Sequence, residues 1–292
     1  MKKLFCLSWL VLLVLAGCAS PPEVREALPP PKAKPPRIAL ALGGGAAKGF
    51  AHVGVIKTLE AHGIAVDMVA GTSAGSVVGV LYAGGYSGYD LQKVALQLEQ
   101  DSVSDYALPD RGFVKGELLQ NYINKALRNR TIDALNKPFA AVATDLQSGE
   151  AMVFQRGNTG MAVRASSSVP GVFQPVNIGG RDYVDGGLVS PVPVKAARAM
   201  GADIVIAVDI SSKPRHAKIK DTLDILLQTF NIMGQGISRF EMAEADVIIQ
   251  PNLGAIGSTA FEQKHSAIME GEKAALAALP AIREKIRRFT AR

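Results

Sequence analysis

The sequence predicts an α/β fold with a mostly parallel central sheet and helices on both faces. Short apolar runs alternate with segments of helical length along most of the chain, the pattern of a parallel sheet with helical crossovers. The runs at Ile38–Leu42 and Ile204–Val208 are apolar throughout, as expected of strands buried on both faces. Abundant Gly and Ala, with only 6% aromatic residues, favour close packing of helices on a sheet over a β-sandwich.

Each predicted strand is a short run rich in apolar residues, and each predicted helix has an amphipathic or small-residue pattern. The strands are predicted at 38–42, 66–70, 139–144, 151–154, 181–184, 204–208 and 247–250. The helices are predicted at 50–62, 73–83, 91–100, 117–128, 161–165, 194–200, 223–243 and 265–288, the last interrupted near Pro280. The segment 211–220 is polar and basic and is predicted to be a mobile loop.

Length and charge limit the classes of function. The chain has 292 residues and 48% hydrophobic content, enough for one sizeable domain or two small ones. A formal net charge of +6 favours an anionic partner such as a lipid surface. The sequence contains no dense basic stripe interleaved with aromatic residues and no zinc-finger or helix-turn-helix pattern, so nucleic-acid binding is not predicted.

The N-terminus has the features of a bacterial lipoprotein signal. Two lysines precede an apolar run at 4–15, which has the length of a signal-peptide core and is too short to span a bilayer. The run ends in Leu15-Ala16-Gly17-Cys18, which resembles the lipobox, in which the cysteine is acylated and becomes the first residue. The alternative is an ordinary secretory signal with an incidental cysteine. Cys6 would leave with the signal, so no internal disulfide is expected.

These features predict three regions. Residues 1–17 are the signal peptide, 18–36 a Pro-rich tether behind the lipidated Cys18, and 37–292 the folded domain. Ala19 follows Cys18 where an Asp would favour the inner membrane, so we expect a membrane-anchored protein of the cell envelope, in the outer membrane facing the periplasm.

A sharp turn between a predicted strand and a predicted helix reads Gly71-Thr72-Ser73-Ala74-Gly75. This is the G-x-S-x-G pattern of a nucleophile elbow, which exposes a serine hydroxyl at the end of a strand. Glycines on either side relieve the crowding of such a turn, and the following helix points its positive end at the site. Ser73 is therefore the candidate nucleophile; the other interpretation is a tight turn with an idle serine.

A glycine-rich loop, residues 43–49, follows the first predicted strand. The dinucleotide-binding spacing fails because Lys48 occupies the place of the third glycine, and the P-loop pattern fails because no Ser or Thr follows that lysine. The remaining interpretations are a packing turn and a turn whose backbone N–H groups hold an anion. The candidate oxyanion donors are Gly43, Gly44 and Gly45. Lys48 either adds positive charge or fixes the loop.

An Asp-Gly-Gly turn lies further along the chain, at Asp185, Gly186 and Gly187. An ordinary Asp, with a pKa of about 3.9, is a weak base, but it can serve when it hydrogen-bonds a serine in a partly desolvated pocket. The glycines would let that serine approach closely. Asp185 is the candidate base, against the alternative of an ordinary β-turn. No histidine lies in a comparable pattern, so the predicted pair is a Ser–Asp dyad.

These three blocks, in this order, resemble the patatin-like phospholipase family. A fourth block, Ala165-Ser166-Ser167-Ser168-Val169-Pro170, is also similar, and the resemblance spans residues 37–209. It implies a three-layer α/β/α patatin-like fold and hydrolysis of phospholipid or lysophospholipid esters, with no metal or cofactor. By the same resemblance, Ser73 is the nucleophile, Asp185 the base and the three glycines at 43–45 the oxyanion loop.

Two positions depart from the family pattern. The family often has Arg where this chain has Lys48, and Asn where this chain has Ser190 after the Asp-Gly-Gly turn. The second departure concerns the hydrogen bonding around the aspartate. The part of the chain beyond residue 211 carries no motif that we can assign.

Two other functions remain open from the sequence. An α/β-hydrolase triad in the order Ser, Asp, His could use His216 or His265, whereas His52 and His62 belong to the first predicted helix. Alternatively, the chain is a membrane-anchored binding module without activity.

Overall fold

The computed structural model describes residues 34–103, 105, 112–211, 222–257 and 259–291. The predicted signal peptide, Cys18, most of the tether and nearly all of the predicted loop at 211–220 lie outside the described residues. Within the described part of the chain, none of the helices is both long and apolar enough to cross a membrane.

Eight strands and eight α-helices occur in the part of the chain that the structure describes. The strands are β1 (Ile38–Leu42), β2 (Met68–Thr72), β3 (Phe139–Asp145), β4 (Ala151–Phe154), β5 (Val176–Ile178), β6 (Arg181–Asp185), β7 (Ile204–Val208) and β8 (Val247–Ile249). The helices are α1 (Phe50–Ala61), α2 (Ala74–Ala83), α3 (Gly88–Gln97), α4 (Glu117–Ala126), α5 (Thr159–Ser166), α6 (Val194–Ala199), α7 (Thr222–Met242) and α8 (Lys264–Thr290).

All eight strands form one mixed sheet that is mostly parallel. The five strands in the order β3-β2-β1-β7-β8 run parallel to one another. At the β3 end, β4 and β6 each pair antiparallel with β3, and β5 pairs antiparallel with β6. The predicted mostly parallel sheet is confirmed.

The alternation of side chains in β1 shows that helices cover both faces of the sheet. Ile38, Leu40 and Leu42 belong to a large core that includes residues of α1, α2, α4 and α8. Ala39 and Ala41 belong to a second core on the opposite face, which includes residues of α6. Because successive strand residues point to opposite faces, the two cores lie on the two sides of one sheet. The predicted three-layer α/β/α architecture is confirmed.

The register along β3 brings two chain segments together. Strand β2 pairs with the first half of β3 and ends with Thr72 opposite Val142, while β6 pairs with the second half and ends with Asp185 opposite Ala143. Strand β4 pairs with residues on both halves and must occupy the other edge, so β2 and β6 follow one another along the same edge of β3. The residue after Thr72 and the last residue of β6 therefore meet at one point.

Besides shifted ends of some elements, one strand and one helix differ from the prediction. The missed strand β5 forms a hairpin with β6 through Gly179 and Gly180, both at positive φ (62° and 83°), as a two-residue turn of this kind requires. The predicted interruption at Pro280 is wrong, because α8 continues through it. Pro280 is exposed, so water can hydrate the carbonyl that loses its partner, and buried Ala275 and Ile282 hold the helix to the core on either side.

Candidate active site

Ser73 lies at a strained turn between β2 and α2. Its φ of 53° and ψ of −125° lie outside the conformations that non-glycine residues normally adopt, and such strain persists only where the surroundings enforce it. The flanking glycines allow this turn: a Cβ on Gly71 would lie 2.5 Å from Gly75 O, and one on Gly75 would lie 2.0 Å from Leu42 O. The turn has the strand–turn–helix form of a nucleophile elbow.

The fourth sequence block supports this turn from behind. Ser166 Oγ accepts a hydrogen bond from the Ser73 N–H at 3.0 Å and donates one to Val142 O at 2.6 Å. On the other side, Thr72 Oγ1 donates to Ser190 O at 2.8 Å. Buried hydroxyl groups thus hold the turn at both Thr72 and Ser73.

Asp185 ends β6 at the same point of the sheet. Its backbone N–H donates to Ser168 O at 2.9 Å, and its carbonyl accepts from Thr144 Oγ1 at 2.8 Å. A Cβ on Gly186 would lie 2.1 Å from Val142 O, so only glycine allows the chain to pass this close to β3. The carboxylate is therefore placed by strand pairing rather than by a flexible loop.

The Asp185 carboxyl group is buried beside the Ser73 hydroxyl. Oδ1 accepts the Gly187 N–H at 2.7 Å, while Oδ2 is buried and lacks a hydrogen-bond partner among the described residues. Burial disfavours the charged form and raises the pKa of Asp185 to about 6, although the Ser73 hydroxyl and the Gly187 N–H both act to lower it. The two side chains are neighbours, close enough for the Ser73 hydroxyl to influence the charge of the carboxyl group.

The glycine loop contacts the serine but uses two of its predicted donors elsewhere. A Cβ on Gly44 would lie 3.2 Å from Ser73 Cβ, so the loop does pass close to the serine. The Gly43 N–H donates to Val208 O and the Gly44 N–H to Pro191 O, each at 3.0 Å. The prediction that these two N–H groups hold an oxyanion is therefore corrected, because both already have acceptors. Gly45 is the one of the three whose N–H has no backbone acceptor in the described chain.

Two buried side chains lie at this loop, and one of them bonds to its backbone. His52, on α1, donates from Nε2 to Gly43 O at 2.8 Å, and burial lowers the pKa of its imidazole to about 4, so the ring is neutral. Lys48 is only 5% exposed, and burial lowers its pKa against the opposing influence of Asp209. His52 is a structural residue that the sequence pattern did not distinguish from other helix residues.

Ser190, which stands where the family often has Asn, is bonded to a buried acid. Its hydroxyl donates to Glu241 Oε1 at 2.5 Å, and both residues are buried. Sequence reasoning missed Glu241 because it lies on α7, in the part of the chain without a motif. A single acid within a helix gives no sequence signal that it is buried.

The other histidines do not reach the site through any contact in the described chain. His62 Nδ1 bonds to Thr58 O at the end of α1, and His265 is exposed at the start of α8. His216 lies outside the described residues. The described residues also contain no cluster of three or more His, Cys, Asp or Glu side chains arranged to hold a metal.

Comparison with known proteins places this site in a family. Residues 40–198, more than half of the chain, match the model of the patatin-like phospholipases. The chain belongs to the patatin-like phospholipase family. An NTE family protein of Mycobacterium tuberculosis is 37% identical over 183 residues, which cover 60% of this chain and 49% of the relative. The mouse patatin-like phospholipase domain-containing protein 6 is 35% identical over 184 residues, 60% of this chain and 14% of that protein.

This patatin-like chain thus spans about half the length of the mycobacterial relative and a small part of the mouse protein. Among solved structures, VipD from Legionella pneumophila superposes with a TM-score of 0.60 at 15% identity, covering 85% of this chain and 67% of VipD. At that identity the likeness supports the fold alone, and it agrees with the layered architecture described above.

A titration of the carboxyl groups tests the electrostatics of the site. We expect one carboxyl to titrate near pH 6 and to disappear from the titration in Asp185→Asn, because burial disfavours its charged form. Glu241→Gln serves as the matched variant, since burial raises the pKa of Glu241 to about 7. An Asp185 carboxyl that titrates near pH 4, read by infrared or NMR spectroscopy, would contradict the described burial.

Proposed function

We propose that this chain is a serine acyl hydrolase that cleaves carboxylic esters of phospholipids or lysophospholipids through Ser73 and Asp185. Membership of the patatin-like family supports the broad class of lipid hydrolase. The observation that carries the finer proposal is the strained Ser73 beside a buried carboxyl group whose Oδ2 has no partner in the described chain. Backbone strain and an unsatisfied buried acceptor are both costly, and they are retained together where they serve chemistry.

The first step is attack by the serine on the ester. Ser73 Oγ attacks the carbonyl carbon while Asp185 Oδ2 accepts the hydroxyl proton. Asp185 then gives that proton to the leaving alcohol as its C–O bond breaks and the acyl-enzyme forms. In the second step Asp185 accepts a proton from the water that attacks the acyl-enzyme, and it returns this proton to Ser73 Oγ as the fatty acid leaves. A carboxylate with a pKa of about 6 is a better base than an ordinary Asp and is still largely ionised at neutral pH.

The oxyanion donors that we propose are the N–H groups of Gly45 and Ala74. Gly45 is the glycine-loop residue whose N–H has no backbone acceptor in the described chain. Ala74 follows the serine and opens α2, where the first N–H groups have no partner within the helix. One such donor typically lowers the barrier by about 3 kcal/mol.

The rival functions receive less support. Of the two candidate histidines for a Ser–Asp–His triad, His265 is exposed at the start of α8 and has no described contact with Asp185, and His216 lies outside the described residues. A binding module without activity would have no need of the strained serine conformation.

Hydrolysis by purified protein tests the proposed dyad. We expect Ser73→Ala and Asp185→Asn each to lower kcat/KM on a panel of phospholipids and lysophospholipids by roughly a thousandfold or more, because one removes the nucleophile and the other its base. We also expect kcat/KM of the unchanged protein to rise with pH to a plateau above about 6, where Asp185 becomes deprotonated. His265→Asn is the control and should leave the rates unchanged.

Two results would reject the dyad. Unchanged hydrolysis in Ser73→Ala would assign the activity to another protein in the preparation. A folded Asp185→Asn variant with full activity would show that another group is the base.

We propose further that the mature chain is a lipoprotein anchored through Cys18 in the cell envelope, in the outer membrane facing the periplasm. The proposal rests on the lipobox-like sequence before Cys18 and on the Pro-rich segment after it. Mass spectrometry of the N-terminal peptide from membrane fractions should show an acylated Cys18, and Cys18→Ser should leave the signal uncleaved. An unmodified Cys18 in the mature protein would reject the anchor.

One face of helix α7 is suited to docking on a lipid surface, and we propose that the protein binds its substrate there. Its exposed apolar side chains recur seven residues apart, two turns of helix, and so lie on one face: Ile225, Leu226, Ile232, Met233 and Phe240. The opposite face packs near the Asp-Gly-Gly turn, since a Cβ on Gly234 would lie 3.8 Å from Gly187 O. The sequence leading into the helix, residues 213–220, has four Lys and Arg residues and no acid, which suits anionic head groups.

Substitutions on this face of α7 should affect hydrolysis of vesicle lipids and of soluble esters differently. We expect Met233→Ser with Phe240→Ser to lower hydrolysis of lipid in anionic vesicles about tenfold or more while leaving a soluble short-chain ester unaffected, because only the vesicle requires apolar docking. Leu276→Ser, at an exposed site on α8, is the matched control. Equal loss on both substrates would show that the face serves folding or catalysis rather than docking.

A further inference from the structure

Glu241 is a buried acid that no sequence motif marks. It lies in the last turn of α7 and is only 4% exposed. Its carboxyl group accepts two hydrogen bonds from one turn of the chain: Oε1 from Ser190 Oγ at 2.5 Å and Oε2 from the Val192 N–H at 3.1 Å. A buried carboxyl group used in this way holds the turn at a defined position against α7.

The 190–192 turn needs an acceptor because of its prolines. Pro191 and Pro193 have no N–H, so the Val192 N–H is an isolated donor between them, and Val192 is buried. A buried N–H without an acceptor costs about as much as a lost hydrogen bond. Glu241 supplies that acceptor and binds the Ser190 hydroxyl with its second oxygen.

The same turn contacts all three motifs of the site. Ser190 O accepts Thr72 Oγ1 of the elbow at 2.8 Å, and Pro191 O accepts the Gly44 N–H of the glycine loop at 3.0 Å. The Ser190 N–H donates to Gly186 O of the Asp-Gly-Gly turn at 2.8 Å. A shift of this turn would therefore move the nucleophile, the glycine loop and the base relative to one another.

We propose that Glu241 is a positioning residue for the Ser73–Asp185 pair and that it acts by clamping the 190–192 turn. This inference rests on the proposed function. Glu241 touches no reacting atom; its effect passes through Thr72, Gly44 and Gly186.

The surroundings of Glu241 indicate which variant should preserve the clamp. Burial raises the pKa of Glu241 to about 7, with smaller effects from Lys195, which lowers it, and Glu244, which raises it. A neutral side chain of the same shape should therefore be tolerated. The amide of Gln can accept the Val192 N–H and donate to Ser190 Oγ, whereas Met fills the space and offers no acceptor to either group.

The decisive measurement compares Glu241→Gln and Glu241→Met with the unchanged protein on a soluble ester. We expect Glu241→Met to lower kcat about tenfold to a hundredfold with little change in KM, because small displacements of catalytic groups cost rate. Labelling of Ser73 by a fluorophosphonate should slow in parallel, and Glu241→Gln should stay within about threefold of the unchanged protein. Glu244→Gln, at an exposed acid shortly beyond α7, is the control and should change neither rate.

A second set of variants covers the case in which Glu241→Met does not fold. Ser190→Ala removes one bond of the clamp and Thr72→Val removes the bond between the turn and the elbow. Since both act through the same turn, their combined loss in kcat should be smaller than the product of the separate losses. Fully independent losses would overturn the inference.

The outcomes also separate this inference from the function on which it depends. A folded, active Glu241→Met protein with unchanged kcat would overturn the clamp and leave the dyad standing. A change in KM with an unchanged kcat would likewise overturn the clamp. If the protein without substitutions neither hydrolyses esters nor is labelled at Ser73, the proposed function is overturned and the clamp with it.

Discussion

The edge of β3 is the constraint on which the candidate site depends. Two strands from distant parts of the chain, β2 and β6, occupy this edge one after the other, with Thr72 opposite Val142 and Asp185 opposite Ala143. Backbone pairing therefore sets the distance between the serine turn and the carboxylate. A loop of similar length would leave that distance to side-chain packing, which is less exact than a hydrogen-bonded register.

Close backbone contact around this edge accounts for the small residues of the motifs. Leu42 O lies where a Cβ of Gly75 would be, and Val142 O lies where a Cβ of Gly186 would be. The same closeness excludes water from the Asp185 carboxyl group, and this burial raises its pKa to about 6. Steric and electrostatic properties of the site thus have one origin, the convergence of several turns on the end of the sheet.

Much of the layered fold was predictable because burial leaves a local mark on the sequence. A strand covered on both faces must be apolar throughout, so β1 and β7 were predicted with the bounds that the structure shows. Strand β2 was predicted two residues early, because Gly71 and Thr72 do not resemble a buried strand. Strand β5 is short and exposed at Asn177, and its hairpin signal lies only in the Gly179-Gly180 pair.

By itself, the sequence determined the fold class, the order of the motifs and the identity of the candidate nucleophile and base, since each depends on residue types within a few positions. Only the tertiary structure decided which backbone groups of those motifs are available to bind an oxyanion. Gly43 and Gly44 have the right residue type for an oxyanion loop, yet their N–H groups bond to Val208 O and Pro191 O. Glu241 lies on a helix without a motif, yet it holds the turn that joins the site. Hydrogen bonds between residues far apart in the sequence depend on how whole helices and strands pack, so no local sequence pattern predicts them.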